Sequence, residues 1–207
     1  MDKIENKADL YNMDLPKDLK DLNIDECRKL AAQIRRTLIT TVSKNGGHLA
    51  SNLGTVELTI ALHRVFDSPA DKCVWDVGHQ AYTHKLLTGR AAQFSTIRKE
   101  NGLSGFPRPD ESEHDAFISG HSSTSVSAAL GIATAMKLQN DPHHTVAILG
   151  DGAFTGGEIY EGLNNAGKSG TNLVIVINYN EMSISKNVGA AAKYLSTLRT
   201  KEGYHRT

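Results

Sequence analysis

Apolar positions along the chain alternate between helical spacing and short continuous runs, and this sets out an α/β order. Ile24 to Lys44 places Leu30, Ile34, Leu38 and Val42 on one stripe with charged residues opposite, which predicts an amphipathic helix. Asn23 or Asp25 can cap its start, and Gly46-Gly47 stops it. His48 to Gly54 reads as a polar turn ahead of a second helix, Thr55 to Phe66. Val74 and Trp75 begin a strand-like piece that breaks at Asp76-Val77-Gly78-His79, and Gln80 to Leu87 reads as a helix ended by Gly89. Asn101 to Asp115, rich in glycine, proline and charge, reads as a loop long enough to require either a function or mobility. Gly120-His121-Ser122-Ser123-Thr124 leads into a helix, Ser125 to Lys137, whose alanines and glycines permit close packing. Val188 to Arg199 predicts a last helix, followed by a charged tail over 200–207.

The most informative stretch is Val146 to Asn187. Val146-Ala147-Ile148-Leu149 is apolar, too short for a helix and bounded by glycine, so it predicts a buried strand. Gly150-Asp151-Gly152 falls at its carboxyl end, where open α/β sheets place their ligands. Glu158 to Lys168 reads as a crossover helix and Leu173 to Ile177 as the next, parallel strand, ending at Asn178-Tyr179-Asn180. Two polar turns then share one edge of a mostly parallel sheet with helices on both faces. Asp151 brings a carboxylate, Asn180 an amide oxygen, and the backbone after Asn180 a carbonyl. That oxygen set suits Mg²⁺, which is usually shared with substrate phosphates. Gly150 and Gly152 let the backbone approach a diphosphate, whose oxygens the nearby amides can meet.

Composition narrows the remaining classes. The 207 residues are 39% hydrophobic with 18 glycines, an ordinary globular balance for a chain of one-domain length. Lys plus Arg match Asp plus Glu at 23 each, so no global field draws nucleic acid or an anionic membrane. No apolar run approaches a transmembrane length, and MDKIENKADLYN is too charged for a signal peptide. Cys27 and Cys73 form no CxxC, which fits a reducing, cytoplasmic setting. Of the nine histidines, His48, His79 and His121 each follow a glycine at the end of an element near the ligand edge. There an imidazole can donate to phosphate or move a proton near neutral pH. His63, His84, His114, His143, His144 and His205 lack that setting and read as structural or solvated. Zinc spacings, GxGxxG, GxxxxGK[ST] and GxSxG are absent, which leaves an unrelated hydrolase or nucleotide binder with little support.

GDG followed after a helix and a strand by asparagine resembles the thiamine diphosphate (ThDP) signature. Longer segments extend the likeness: GGHLASNLGTVELTIALHRVF, WDVGHQAYTHKLLTGR, GLSGFPRPDESEHDAFISGHSSTSVSAALGIA, GDGAFTGGEIYEGLNNAG and NYNEMSISKNVGA. Spread from Asn45 to Ala190, they resemble the N-terminal part of the 1-deoxy-D-xylulose-5-phosphate synthase family, ThDP enzymes of the transketolase group. The resemblance implies a ThDP-binding, transketolase-type α/β fold. It implies that Asp151, Asn180 and the carbonyl of Met182 hold Mg²⁺, and that Gly152, Ala153 and Asn180 meet the diphosphate. Gly120, His121 and Ser122 would line the cofactor, His79 would contact it and share the catalytic role with His48, and His48 would transfer protons near the reactive carbon. Ser51, close by, would touch substrate. The implied reaction joins pyruvate, after decarboxylation, to glyceraldehyde 3-phosphate, on the route to isoprenoids and thiamine.

Tyr179 departs from the family, which has aspartate between the two asparagines; in an extended turn that side chain points away from the metal. Length is the larger departure. The resemblance implies one diphosphate- and Mg²⁺-binding domain over 1–207, with an extended segment over 1–24, while the pyrimidine-binding and C-terminal domains are absent. The expected partner is therefore a second copy of the chain or the missing domains, and turnover by this chain alone is not expected. A non-catalytic ThDP-binding module and the N-terminal subunit of a split transketolase-like enzyme both stay open.

Overall fold

The computed structural model describes residues 8–179 together with Ala190, Tyr194 and Thr197. Three parallel strands, β1 (Lys72–Trp75), β2 (Thr145–Gly150) and β3 (Leu173–Asn178), lie in the order β1-β2-β3. Lys72 pairs with Thr145, and Thr145 with Leu173, so the three strands start level and their carboxyl ends open on one edge. Strand alternation sorts the core into two layers. Val74, Ala147 and Leu149 face α5 (Ser125–Leu138) and α6 (Glu158–Ala166). Cys73, Trp75, Val146 and Ile148 face α3 (Val56–Val65), through Leu62. Helices therefore cover both faces. α5 and α6 approach closely: a Cβ on Gly162 would lie 3.0 Å from Ser127 Oγ and 3.2 Å from the Ser127 nitrogen.

A separate apolar cluster lies outside the sheet, around α1 (Ile24–Asn45). Leu30, Ile34, Leu38 and Val42 are all buried there, so the stripe read from the sequence is the packing face. Asn23 is the cap: its side chain accepts from the Asp25 and Glu26 amides while Glu26 accepts from the Asn23 amide, a capping box. The N-terminal segment is not extended throughout. Lys17–Asp21 form a 3-10 turn, and Ala8, Leu10, Leu19 and Leu22 are buried against α1, because burying those apolar side chains folds the segment back. Gln33 pins it, accepting from the Leu10 amide at 3.0 Å and donating to the Ala8 carbonyl at 2.7 Å.

Two more boundaries differ from the sequence expectation. His48 to Gly54 is not simply a turn: Leu49–Leu53 form α2, one helical turn whose Asn52 is fully buried. The helix placed at Gln80 starts two residues later as α4 (Tyr82–Lys85) and passes into a wider π-type turn, Leu86–Arg90. Thr88 (φ −121°) and Gly89 (φ 80°) leave helical geometry and kink that turn at the point where the sequence ends the helix. The Val188 to Arg199 helix, the 200–207 tail, residues 1–7, Asn180 and Met182 lie outside the described residues, apart from helical positions at Ala190, Tyr194 and Thr197.

Candidate functional site

Four loops converge at the carboxyl edge of the sheet, and three buried polar side chains join them. Asp76, immediately after β1, accepts from the Ser123 amide at 2.9 Å and the Ser125 amide at 3.2 Å, tying the β1 loop to the start of α5. Ser123 Oγ donates to the Ala153 carbonyl at 2.8 Å, which adds the loop after β2. Asn52 donates to the carbonyls of His48 (2.6 Å) and His79 (2.8 Å) and accepts from the Tyr82 amide (2.8 Å). The sequence reading missed Asn52 and the structural part of Asp76. A carboxylate directly after a strand was the available signal for Asp76; for Asn52 only the fold brings its three partners together.

The backbone is strained where these loops meet. Val77 (φ 57°) and Ser123 (φ 72°) are non-glycine residues in the left-handed region, and Gly78 follows Val77 at φ 85°. Such conformations each cost about 1–3 kcal/mol and persist where surrounding bonds over-determine them. The Asp76 and Ser123 bonds are that constraint.

The predicted site residues fall out as follows. His48 and His79 come together, with ring centroids 5.0 Å apart and planes at 67°. Burial, and then the neighbouring His48 ring, hold the His79 imidazole below its ordinary value, against an opposing pull from Asp76. Its Nδ1 is buried and has no hydrogen-bond partner among the described residues. Buried ring nitrogens are normally satisfied, so this atom is free to meet a ligand. His121 is exposed, its Nδ1 2.9 Å from the Ser122 carbonyl, and Gly120 and Ser122 are exposed beside it. Ser51 lies half-buried on α2. Gly152 and Ala153 sit in the 3-10 turn Asp151–Thr155 that follows β2. Among the described residues, a Cβ added at Gly120, Gly150 or Gly152 would meet nothing within 4 Å, and none of the three has a positive φ. The fold itself does not demand glycine there.

Asp151 lies directly after β2, where the sequence places it, and it is buried there at 5% exposure. It is the described part of the proposed oxygen set. Tyr179 is half-buried after β3. Among the described residues no group of three His, Cys, Asp or Glu side chains forms a metal site.

The Asn101 to Asp115 loop, left open between function and mobility, is anchored by a buried ionic cluster. Arg90 donates to both Asp115 oxygens at 2.8 Å and to Glu111 at 2.8 Å, while Lys85 pairs with Glu111. His84 Nε2 lies 3.0 Å from Asp115, and His63 Nε2 2.9 Å from His84 Nδ1. Burial favours the neutral Asp115 acid, yet the Arg90 and His84 hydrogen bonds outweigh it and hold the carboxyl well below the usual range. An anionic Asp115 makes His84 Nε2 the donor and His84 Nδ1 the acceptor for His63.

Both histidines of this relay are held neutral. Burial places His63 well below its ordinary value, and a proton on His84 would lower it further; burial places His84 below its ordinary value despite Asp115. The unfolded chain therefore takes up protons near pH 6.5 that the folded chain refuses, and stability falls as pH drops below about 6.5. Thermal melts at descending pH are expected to show this loss, and His63→Gln to make it shallower. A stability that is flat or rising from neutral pH down to pH 5 would contradict the neutral relay.

Known proteins match these features. A family model described as 1-deoxy-D-xylulose-5-phosphate synthase matches residues 10–207. The synthase of Syntrophomonas wolfei is 58% identical over 198 residues, 96% of this chain and 31% of that protein. The synthase of Thermomicrobium roseum is 60% identical over 196 residues, 94% of this chain and 31% of that protein. The chain thus spans under a third of the length of these curated relatives. Among solved structures, transketolase from Leishmania mexicana superposes with a TM-score of 0.69 over 82% of this chain and 30% of that one; at 20% identity it establishes a transketolase-like α/β fold and nothing finer. A match that runs through the β1 loop, the entry to α5 and the turn after β2 covers every loop of the site, and the chain belongs to the 1-deoxy-D-xylulose-5-phosphate synthase family.

Proposed function

We propose that the chain is the cofactor-diphosphate-binding part of a ThDP- and Mg²⁺-dependent 1-deoxy-D-xylulose-5-phosphate synthase, a transketolase-type transferase. The observation that carries this reading is the buried Nδ1 of His79, which has no hydrogen-bond partner among the described residues and whose ring lies 5.0 Å by centre from that of His48. Asp151, Asn180 and the carbonyl of Met182 are the Mg²⁺ ligands in this reading. Gly152, Ala153 and Asn180 meet the diphosphate, while Gly120, His121, Ser122 and His79 line the cofactor. His48, exposed at the mouth beside His79, moves protons. ThDP, when bound, supplies the nucleophilic carbon and the electron sink for pyruvate and glyceraldehyde 3-phosphate. The protein's share is orientation, exclusion of water around His79 and proton transfer at His48.

Turnover in this reading needs the region that the relatives carry beyond the match, supplied by a continuation of the chain or by a partner. An edge strand whose Val174 and Ile177 stay 36% and 39% exposed supports association there, as a homodimer or with further domains. Cytoplasmic operation fits the two free cysteines, of which buried Cys73 has its thiol pushed up to about 12 by desolvation. Among the described residues no helix is long and apolar enough to cross a membrane.

Calorimetric titration of ThDP into the chain tests the reading. Heat is expected with Mg²⁺ and none with EDTA, and light scattering of the same samples is expected to show more than one copy per particle. Absence of Mg²⁺-dependent binding would overturn the cofactor assignment, and a monodisperse monomer at high concentration the association.

A further inference from the structure

The buried ionic cluster lies away from the site loops but is tied to them at one point. Asp115 Oδ2 accepts not only from Arg90 but from the backbone amide of Arg108, at 2.8 Å. The residue before Arg108 is Pro107, buried against the turn that carries His79: a Cβ built on Gly78 would lie 2.5 Å from Pro107 Cδ and 2.9 Å from Ser119 Cβ. Ser119 is in turn fixed by donating to the Trp75 carbonyl at 2.9 Å. Asp115 is fully within the interior, and so are the side chains of Lys85 and His84. The charges of Lys85, Arg90, Glu111 and Asp115 balance, so the cluster offers no net field to an anion. A closed, neutral, buried cluster is better suited to holding a loop in one place than to binding a ligand.

We propose that Asp115 is a positioning residue for His79: it holds the Arg108 amide, sets Pro107 against Gly78, and thereby fixes where the His79 imidazole points. The chain of contacts is continuous, from the Arg90 fork to Asp115, to the Arg108 amide, to Pro107, to the Gly78 backbone, to His79. Each link is short and the loop has no regular secondary structure to hold it otherwise. Because the sequence from Asp115 also runs directly into the 116–124 segment, the same carboxylate fixes the origin of the loop that carries Gly120, His121 and Ser122. The catalytic relevance of the aim of His79 rests on the function proposed above; the mechanical coupling does not.

Two variants separate the coupling from general stability. Asp115→Asn loses the charge that Arg90 and His84 face, and Pro107→Ala removes the wedge on Gly78 while leaving the ionic cluster whole. The measurement is the His79 ring signal in ¹H–¹⁵N spectra of the cofactor-free chain, followed through a pH titration. Both variants are expected to shift that signal and to move its titration midpoint up towards the free-histidine value, with the His63 and His84 signals unmoved in Pro107→Ala. With Mg²⁺ present, ThDP affinity of Pro107→Ala is expected to fall about tenfold, the low end for partners that orient a contacting group. An unchanged His79 signal in Pro107→Ala overturns the proposal, whether or not Asp115→Asn folds. If the His79 signal moves as expected but the wild-type chain shows no Mg²⁺-dependent ThDP binding, the coupling stands and the cofactor reading fails.

Discussion

Replacing Asp151 by asparagine is expected to remove Mg²⁺-dependent ThDP binding in a chain that still folds. Asp151 follows β2 and is 5% exposed, so alanine at this position would open a void and confound the result. Asparagine keeps the shape and loses the charge. Mg²⁺ is a hard cation that dehydrates reluctantly and relies on one or two carboxylates plus phosphate oxygens, so the loss of a direct anionic ligand is severe. Partners that merely orient metal ligands are worth about 10–100-fold in affinity, and a direct ligand is expected to exceed that range. Titration calorimetry of Asp151→Asn beside wild type, each with a melt by circular dichroism, decides the matter. Equal affinity in the two proteins would move the cation away from this turn.

Gly78→Ala is expected to cost substantial stability. Gly78 has φ 85°, a backbone region that costs a residue with a Cβ about 1–2 kcal/mol. The new methyl would also press on Pro107 Cδ at 2.5 Å and Ser119 Cβ at 2.9 Å, the first held through the amide of the next residue, Arg108, and the second by its own bond to the Trp75 carbonyl. Overpacking of that kind costs about 1–3 kcal/mol. Together these take a large part of the ~5–15 kcal/mol that keeps a domain folded, and a fall in melting temperature of about 10 °C is expected. Gly152→Ala is the control within the same experiment. Its Cβ meets nothing within 4 Å, so its melt should match wild type within about 0.5 kcal/mol. A Gly78→Ala protein as stable as wild type would mean that the Pro107 contact yields freely, and the coupling argued for Asp115 would weaken with it.

The elements whose side chains have one regular partner surface were legible from the chain alone. The α1 stripe, the β2 run and the crossover through α6 are repeats of 3.6 or of continuous apolar residues, and their spacing is local information. Strand ends marked by GDG and by Asn178-Tyr179 located the ligand edge in the same way, and shared glycine-histidine contexts picked out His48 and His79, whose rings now stand 5.0 Å apart. Less regular pieces went wrong for a common reason. α2 and the folded N-terminal segment form because Asn52 and Gln33 find backbone partners far along the chain, up to 30 residues away for the Asn52–Tyr82 bond.

What the sequence determined by itself was the α/β order, the family resemblance and the sheet edge on which the GDG turn and Asn178 lie. Those follow from periodicity and from turn residues that work within a few positions of each other. Tertiary structure alone decided that Asp151 is buried, that Asp76 stitches the β1 loop to α5, and that the Asn101 to Asp115 loop hangs on a closed ionic cluster. Charged residues in a glycine- and proline-rich stretch look solvated when read in order. Only when the fold encloses Arg90 and Asp115 does desolvation make their pairing obligatory, because an unpaired charge in that interior would cost several kcal/mol.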